Sequence, residues 1–154
     1  TRQTIFHFTV EGPPHPWVSQ HRRAARSPGF LAMQSYQELI RATFLNTFRM
    51  RGPPLVDAVV VAMWFCLPIP ETCPKREPRR SEWLAHRLKS PGRAVPDVDN
   101  MGKAAQDALQ GFLIENDSQV VHQSIAKGWD LRPGCGGYTE IAVAARAGGS
   151  ANGA

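Results

Sequence analysis

The run L-V-D-A-V-V-V-A-M-W-F-C-L, Leu55 to Leu67, constrains this chain more than any other stretch. Its three consecutive valines and W-F-C-L end favour a strand, because β-branched and aromatic side chains fit a pleated surface better than a helical one. The apolar core of the run, Ala58 to Leu67, falls well short of the roughly 18 to 20 residues of a membrane span. An apolar strand without alternation is expected to be buried on both faces for much of its length. Such a strand needs partners at its edges and helices over it. A chain of 154 residues has the size of one domain with a proper core.

The flanking segments supply those partners. Ile5 to Val10, I-F-H-F-T-V, reads as a strand and is broken by G-P-P-H-P. Ser19 to Phe30 is a basic loop. Ala32 to Phe48 is helical, with Tyr36, Leu39, Ile40, Thr43, Phe44 and Phe48 recurring at helical spacing, and Arg51-Gly52-Pro53-Pro54 stops it. Residues 68–95 form a long Pro- and Arg-rich insert with room for a short helix at about Ser81 to Lys89. A second main helix runs from Asp97 to Phe112. Gln119 to Trp129 and Tyr138 to Ala144 are closing strands joined by R-P-G-C-G-G, and residues 147–154 are expected to be a disordered tail. The order strand, helix, strand, helix, strand, strand predicts one α/β (α+β) domain over residues 1–146, a mixed sheet with two main helices packed on it.

Cys66, Cys73 and Cys135 are odd in number and widely spaced, with no C-x-x-C pair. They predict no disulfide framework or zinc site, and a reducing, cytoplasmic setting. The start at Thr1 shows neither a signal-peptide pattern nor an initiator methionine, as expected of a processed or trimmed chain. The net charge of +5 is unevenly spread. His21, Arg22, Arg23 and Arg26 form one basic cluster, and Lys75, Arg76, Arg79, Arg80, Arg87, Lys89 and Arg93 another, a distribution that favours nucleic acid as partner. The five histidines form no ligand spacing and no triad. Trp17, Trp64, Trp83 and Trp129 are expected in core or interface, with Trp83 also a candidate to stack on bases.

The chemistry lies in V-P-D-V-D-N-M-G-K-A-A-Q-D-A-L, Val95 to Leu109. On a wheel of about 100° per residue, Met101, Ala104, Ala105, Ala108, Leu109 and Phe112 form one apolar stripe. Asp99, Lys103 and Asp107 fall opposite it, with Asn100 near the stripe edge. One reading is an N-cap plus a solvated face with two weak i, i+4 ion pairs. The other is a metal site. Asp97 and Asp99 exceed the needs of one cap, and Asp117 follows just before a strand. Three converging carboxylates require a cation between them, and a hard divalent ion suits an all-oxygen set.

P-D-V-D-N-x-x-K-A-A-x-D-A-L followed by N-D-S-Q-V-V resembles the RusA family of Holliday-junction resolvases. The family pattern is D-x-D-N-x-x-K-x-x-x-D-A-L, a short gap, then D-D-x-Q-V. The match is gapless through the helix, and weaker agreement extends over most of the chain. The departure is Asn116, with Glu115 before it, where the family often has the first of two acids.

The resemblance implies an endonuclease that cuts four-way DNA junctions as a homodimer with Mg²⁺, Mn²⁺ substituting, and leaves 5′-phosphate ends. It implies metal-binding catalytic acids at Asp97, Asp99 and Asp117, an essential lysine at Lys103, and supporting roles for Asn100 and Asp107. Arg22, Arg23, Arg26, Arg76, Arg79, Arg80 and Arg93 become candidates to face DNA. A small stand-alone resolvase fits a bacterial or phage-infected cell. A nuclease acting on flaps, forks or RNA, and a junction-binding module that does not cut, are the competing readings.

Overall fold

A computed structural model describes residues 3–19, 27–49, 55–90 and 95–146. Its elements in chain order are β1 (Gln3–Glu11), α1 (Pro28–Phe48), β2 (Val59–Leu67), α2 (Arg79–Lys89), α3 (Val98–Leu109), a 3₁₀ turn at Asp117–Gln119, β3 (Val120–Trp129) and β4 (Tyr138–Arg146). The expected basic residues Arg22, Arg23, Arg26 and Arg93, and the expected tail at 147–154, lie outside the described residues.

The four strands form one mixed sheet in the order β1-β4-β2-β3. β2 pairs in parallel with β3 and antiparallel with β4, and β4 pairs antiparallel with β1. The apolar strand is therefore central, as its composition requires. The domain is α+β, with α1 and α3 as main helices and α2 as a third, short one.

The expected burial of β2 on both faces is corrected. Val59, Val61, Met63 and Phe65 are buried, but Val60 and Trp64 on the alternate positions are 39% and 46% exposed. The core helices cover one face of the sheet. The other face is open around Trp64, where a shallow cleft is lined by small and polar side chains such as His7, Ala62, Ser124, Ala126 and Ala142. Only from Phe65 to Leu67 are consecutive residues of β2 buried.

Over the covered face, Phe6 and Phe8 of β1 meet Phe44 and Phe48 of α1 edge-on, with ring centroids 5.2 to 6.1 Å apart. Such pairs add about 0.5–1.5 kcal/mol each beyond burial. α1 begins because the Ser27 side chain accepts from the Phe30 N–H at 3.2 Å and Pro28 presets the first turn. α1 then fixes α3 through side chains that reach backbone oxygens. Gln37 Nε2 donates to the Ala104 carbonyl at 3.0 Å and Arg41 Nε to the Ala108 carbonyl at 3.1 Å. Buried Asp130 at the end of β3 accepts from Arg132 Nε and Nη2, both at 2.9 Å, and from the Gly137 N–H at 3.0 Å. Arg132 also grips Glu11, so this knot ties the β3–β4 turn to β1.

The insert is not a structureless loop. Trp83 of α2 packs on Trp129 of β3 with ring centroids 6.2 Å apart, and Trp129 Nε1 donates to the Leu84 carbonyl at 2.8 Å. The Arg87 guanidinium lies over the Trp83 ring. Trp83, half-buried, thus anchors α2 to the sheet.

Candidate active site

α3 forms where its sequence predicts. Met101, Ala104, Ala105, Ala108 and Leu109 are buried, Phe112 is half-buried just past the helix, and Gly111 at φ +91° turns the chain away. Asp97 is the N-cap residue, but its side chain makes no cap hydrogen bond. Its carboxylate is exposed. Gly102 lets α3 lie close on β3, since a Cβ there would stand 2.4 Å from Ile125 Cδ1.

The polar face of α3 forms one wall of an open cleft of about 320 Å³. Asp99, Lys103, Gln106 and Asp107 come from the helix, Asp117 from the 3₁₀ turn, and Gln123 and Ile125 from β3. Helical spacing aligns the first four. The short connection from α3 through Gly111 returns the chain so that Asp117 faces them. Gln123 Nε2 donates to Gln106 Oε1 at 2.6 Å, and Gln106 Nε2 donates to Asp117 Oδ1 at 3.3 Å. These two amides hold one oxygen of Asp117 in a defined direction.

Burial pushes the Asp107 carboxyl above its ordinary range, and the neighbouring Asp117 charge adds to the shift. Lys103 and a hydrogen bond from the Trp17 side chain pull it back. Lys103 Nζ rests 3.5 Å from the centroid of the Trp17 ring. The ion pairs expected of it with Asp99 and Asp107 are not among those formed by the described residues.

The turn carrying Asp117 is strongly specified. The Asn116 side chain accepts from the Ser118 N–H at 3.1 Å, and Gln119 Oε1 accepts from the Asn116 and Glu115 N–H groups at 2.9 and 2.7 Å. This is a capping box. Gln119 Nε2 then donates to the Leu55 and Asp57 carbonyls at 2.5 and 3.0 Å, tying the turn to the entry of β2.

The donor set suits a hard divalent cation, being carboxylate and amide oxygen. Asp107 and Asp117 already repel one another, and the Asp97 carboxylate has no cap bond to satisfy it. Among the described residues no three His, Cys, Asp or Glu side chains are gathered as a ligand cluster. Cation binding would therefore require the carboxylates to turn inward.

The family model for the endodeoxyribonuclease RusA matches residues 13–141, most of the chain. The chain belongs to the RusA endodeoxyribonuclease family. No curated protein matches it. Membership makes the chain a DNA-cutting enzyme by family and favours a junction as substrate.

Against the RusA pattern, the structure brings Asp99, Lys103, Asp107 and Asp117 to one cleft. Asp97 and Asn100 are exposed at the helix start and do not line it. The departure from the RusA pattern at Asn116 has a physical reading. The side chain there caps the 3₁₀ turn, a task Asn and Asp perform about equally well. Glu115 is exposed, contributes its backbone N–H to Gln119, and does not line the cleft.

Of the basic residues expected to face DNA, Arg76 and Arg79 line a second cleft with Lys75 and Glu77, and Arg80 is half-buried. Sequence reasoning gave no site role to Trp17, expected in core or interface, to Gln119, which belongs to the N-D-S-Q-V-V block, or to Gln106 and Gln123. For Gln123 a signal existed. It shares the strand phase of Ile125 and Trp129, so it is a polar residue placed on the helix-covered face. No local pattern marks Trp17.

Proposed function

We propose that this RusA-family chain resolves four-way DNA junctions by paired symmetric nicks that leave 5′-phosphate and 3′-hydroxyl ends, with Mg²⁺ required and Mn²⁺ substituting. The supporting observation is the cleft itself, where Asp99, Asp107 and Asp117 face the same space as Lys103. Asp97, Asp99 and Asp117 would hold the ion, from the helix cap, its first turn and the 3₁₀ turn. A divalent ion, when bound, acidifies water and polarises the phosphoryl oxygen.

The chain's own residues do the rest. Lys103 offsets the negative charge that builds on the phosphoryl oxygens. Gln106 and Gln123 hold Asp117 in place. Asp107 shares the cleft with Lys103, whose charge favours the ionised carboxylate. Arg76 and Arg79, with Arg22, Arg23, Arg26 and Arg93, bind phosphates along the arms. Paired nicks require two sites related by symmetry, hence a homodimer. The open sheet face, with Ile5 59% and Trp64 46% exposed, offers the second copy an apolar surface. The setting is a reducing interior such as that of a bacterial or phage-infected cell.

The test uses a labelled four-way junction, a duplex and a flap, each with and without Mg²⁺ or Mn²⁺. Paired nicks confined to the junction support the reading. Flap or fork cleavage makes the chain a broader structure-selective nuclease. A junction that is bound but uncut in both metals makes it a binding module. Asp117→Asn abolishes nicking and keeps junction binding; substantial residual nicking removes Asp117 from the mechanism.

A further inference from the structure

We infer that Trp17 is a positioning residue that holds Lys103 and the polar face of α3 in working geometry; this rests on the nuclease reading above. Trp17 lies in the loop after β1, far along the chain from α3, yet it meets the helix at two successive points, Asn100 and Lys103. Its backbone N–H donates to the Asn100 carbonyl at 2.9 Å. Its ring lies under the Lys103 ammonium, 3.5 Å from centroid to Nζ. One tryptophan thus holds both the start of α3, through its backbone, and the end of the lysine side chain, through its ring.

The indole is itself fixed. It packs against Phe30, Met33 and Ala104, and the next residue, Val18, donates its N–H to Met33 Sδ at 3.1 Å. A lysine has a flexible four-carbon stem and no preferred resting place on an open cleft. The ring face supplies one, because its negative quadrupole attracts the ammonium. Nothing about packing alone requires the charged end of Lys103 to lie on the ring. The loop bearing Trp17 leads directly into the basic residues Arg22, Arg23 and Arg26. Trp17 thus joins the segment proposed to meet DNA to the residue proposed to stabilise the reacting phosphate.

The test compares Trp17→Leu, which keeps apolar bulk, with Trp17→Phe, which keeps a ring face. Single-turnover nicking at saturating junction falls about three- to tenfold in Trp17→Leu, the range a lost cation–π contact implies. Junction affinity stays within about twofold, because the contact is to Lys103 and not to a phosphate, and Trp17→Phe recovers much of the rate. An independent readout is NMR of protein carrying ¹³C-lysine, of which the chain has four. One ε-methylene resonance is ring-current shifted upfield, is lost in Lys103→Arg, and returns to the ordinary position in Trp17→Leu. Absence of the shifted resonance overturns the inference, as does wild-type nicking by Trp17→Leu. Equal loss of rate and affinity in both variants also overturns it and marks Trp17 as structural. A wild-type protein that nicks no junction overturns the nuclease reading and the positioning role with it, while the shifted resonance still reports whether the contact exists.

Discussion

Replacing Gln119 by Leu should loosen the turn that presents Asp117 without touching the cleft. Gln119 accepts two backbone hydrogen bonds, from Glu115 and Asn116, and donates two, to Leu55 and Asp57. Three of the four are exposed and one is partly buried. At about 0.5 kcal/mol for each exposed bond and about 1 for the partly buried one, the loss is about 2–3 kcal/mol. For a domain of this size that lowers Tm by roughly 4–10 °C. Urea melts should show a lower midpoint at unchanged slope, since the loss is local and the surface exposed on unfolding is the same. Nicking should fall more steeply than stability explains, because Asp117 loses its anchor. Gln119→Glu sharpens the test. It retains both accepting contacts but sets a carboxylate against two carbonyls, so it should be no better than the Leu variant. An unchanged melting midpoint in Gln119→Leu would show that other contacts hold the turn. A lowered midpoint with full nicking would show that the anchored turn is not needed for cutting.

Other consequences can be measured directly. The Asp130 carboxyl is held down at about 2, chiefly by the Arg132 hydrogen bonds and against the cost of burial. Its unfolded counterpart takes up a proton near 3.8, so this stability is present above that pH and is lost as pH falls from about 4 to 2. Acid titration of unfolding should reveal about 1–2 kcal/mol of such dependence, trimmed by the solvated Arg132, and Asp130→Asn should remove it. Gly102→Val should lower stability by about 1–3 kcal/mol by overpacking against Ile125. Gly102→Ala should be nearly neutral in the same melts, its helix gain of about 1 kcal/mol offsetting the turn of the Ile125 tip. Junction affinity should fall steeply with salt, and Arg76→Ala and Arg79→Ala should each reduce the log–log slope by about one. A flat salt response would remove the phosphate contacts from the account.

What the sequence by itself determined was local and periodic. Valines and aromatics made Val59–Leu67 a strand, the alanine and leucine stripe set the buried side of α3, and the same periodicity put Asp99, Lys103 and Asp107 on the other side. The family pattern was likewise legible, because it is written in contiguous residues that the RusA match also spans. The tertiary structure decided how those pieces meet. An apolar strand signals burial but not how many faces are covered, and only the placement of α1 and α3 left Val60 and Trp64 exposed. Asn116 looked like a lost carboxylate until its side chain was seen to cap the 3₁₀ turn. Gln106 and Gln123 became the supports of Asp117 through hydrogen bonds between helix and strand. Trp17 came to rest under Lys103 because the loop after β1 docks on α3. Contacts of this kind join segments far apart in the chain, and neither periodicity nor spacing within one segment encodes them.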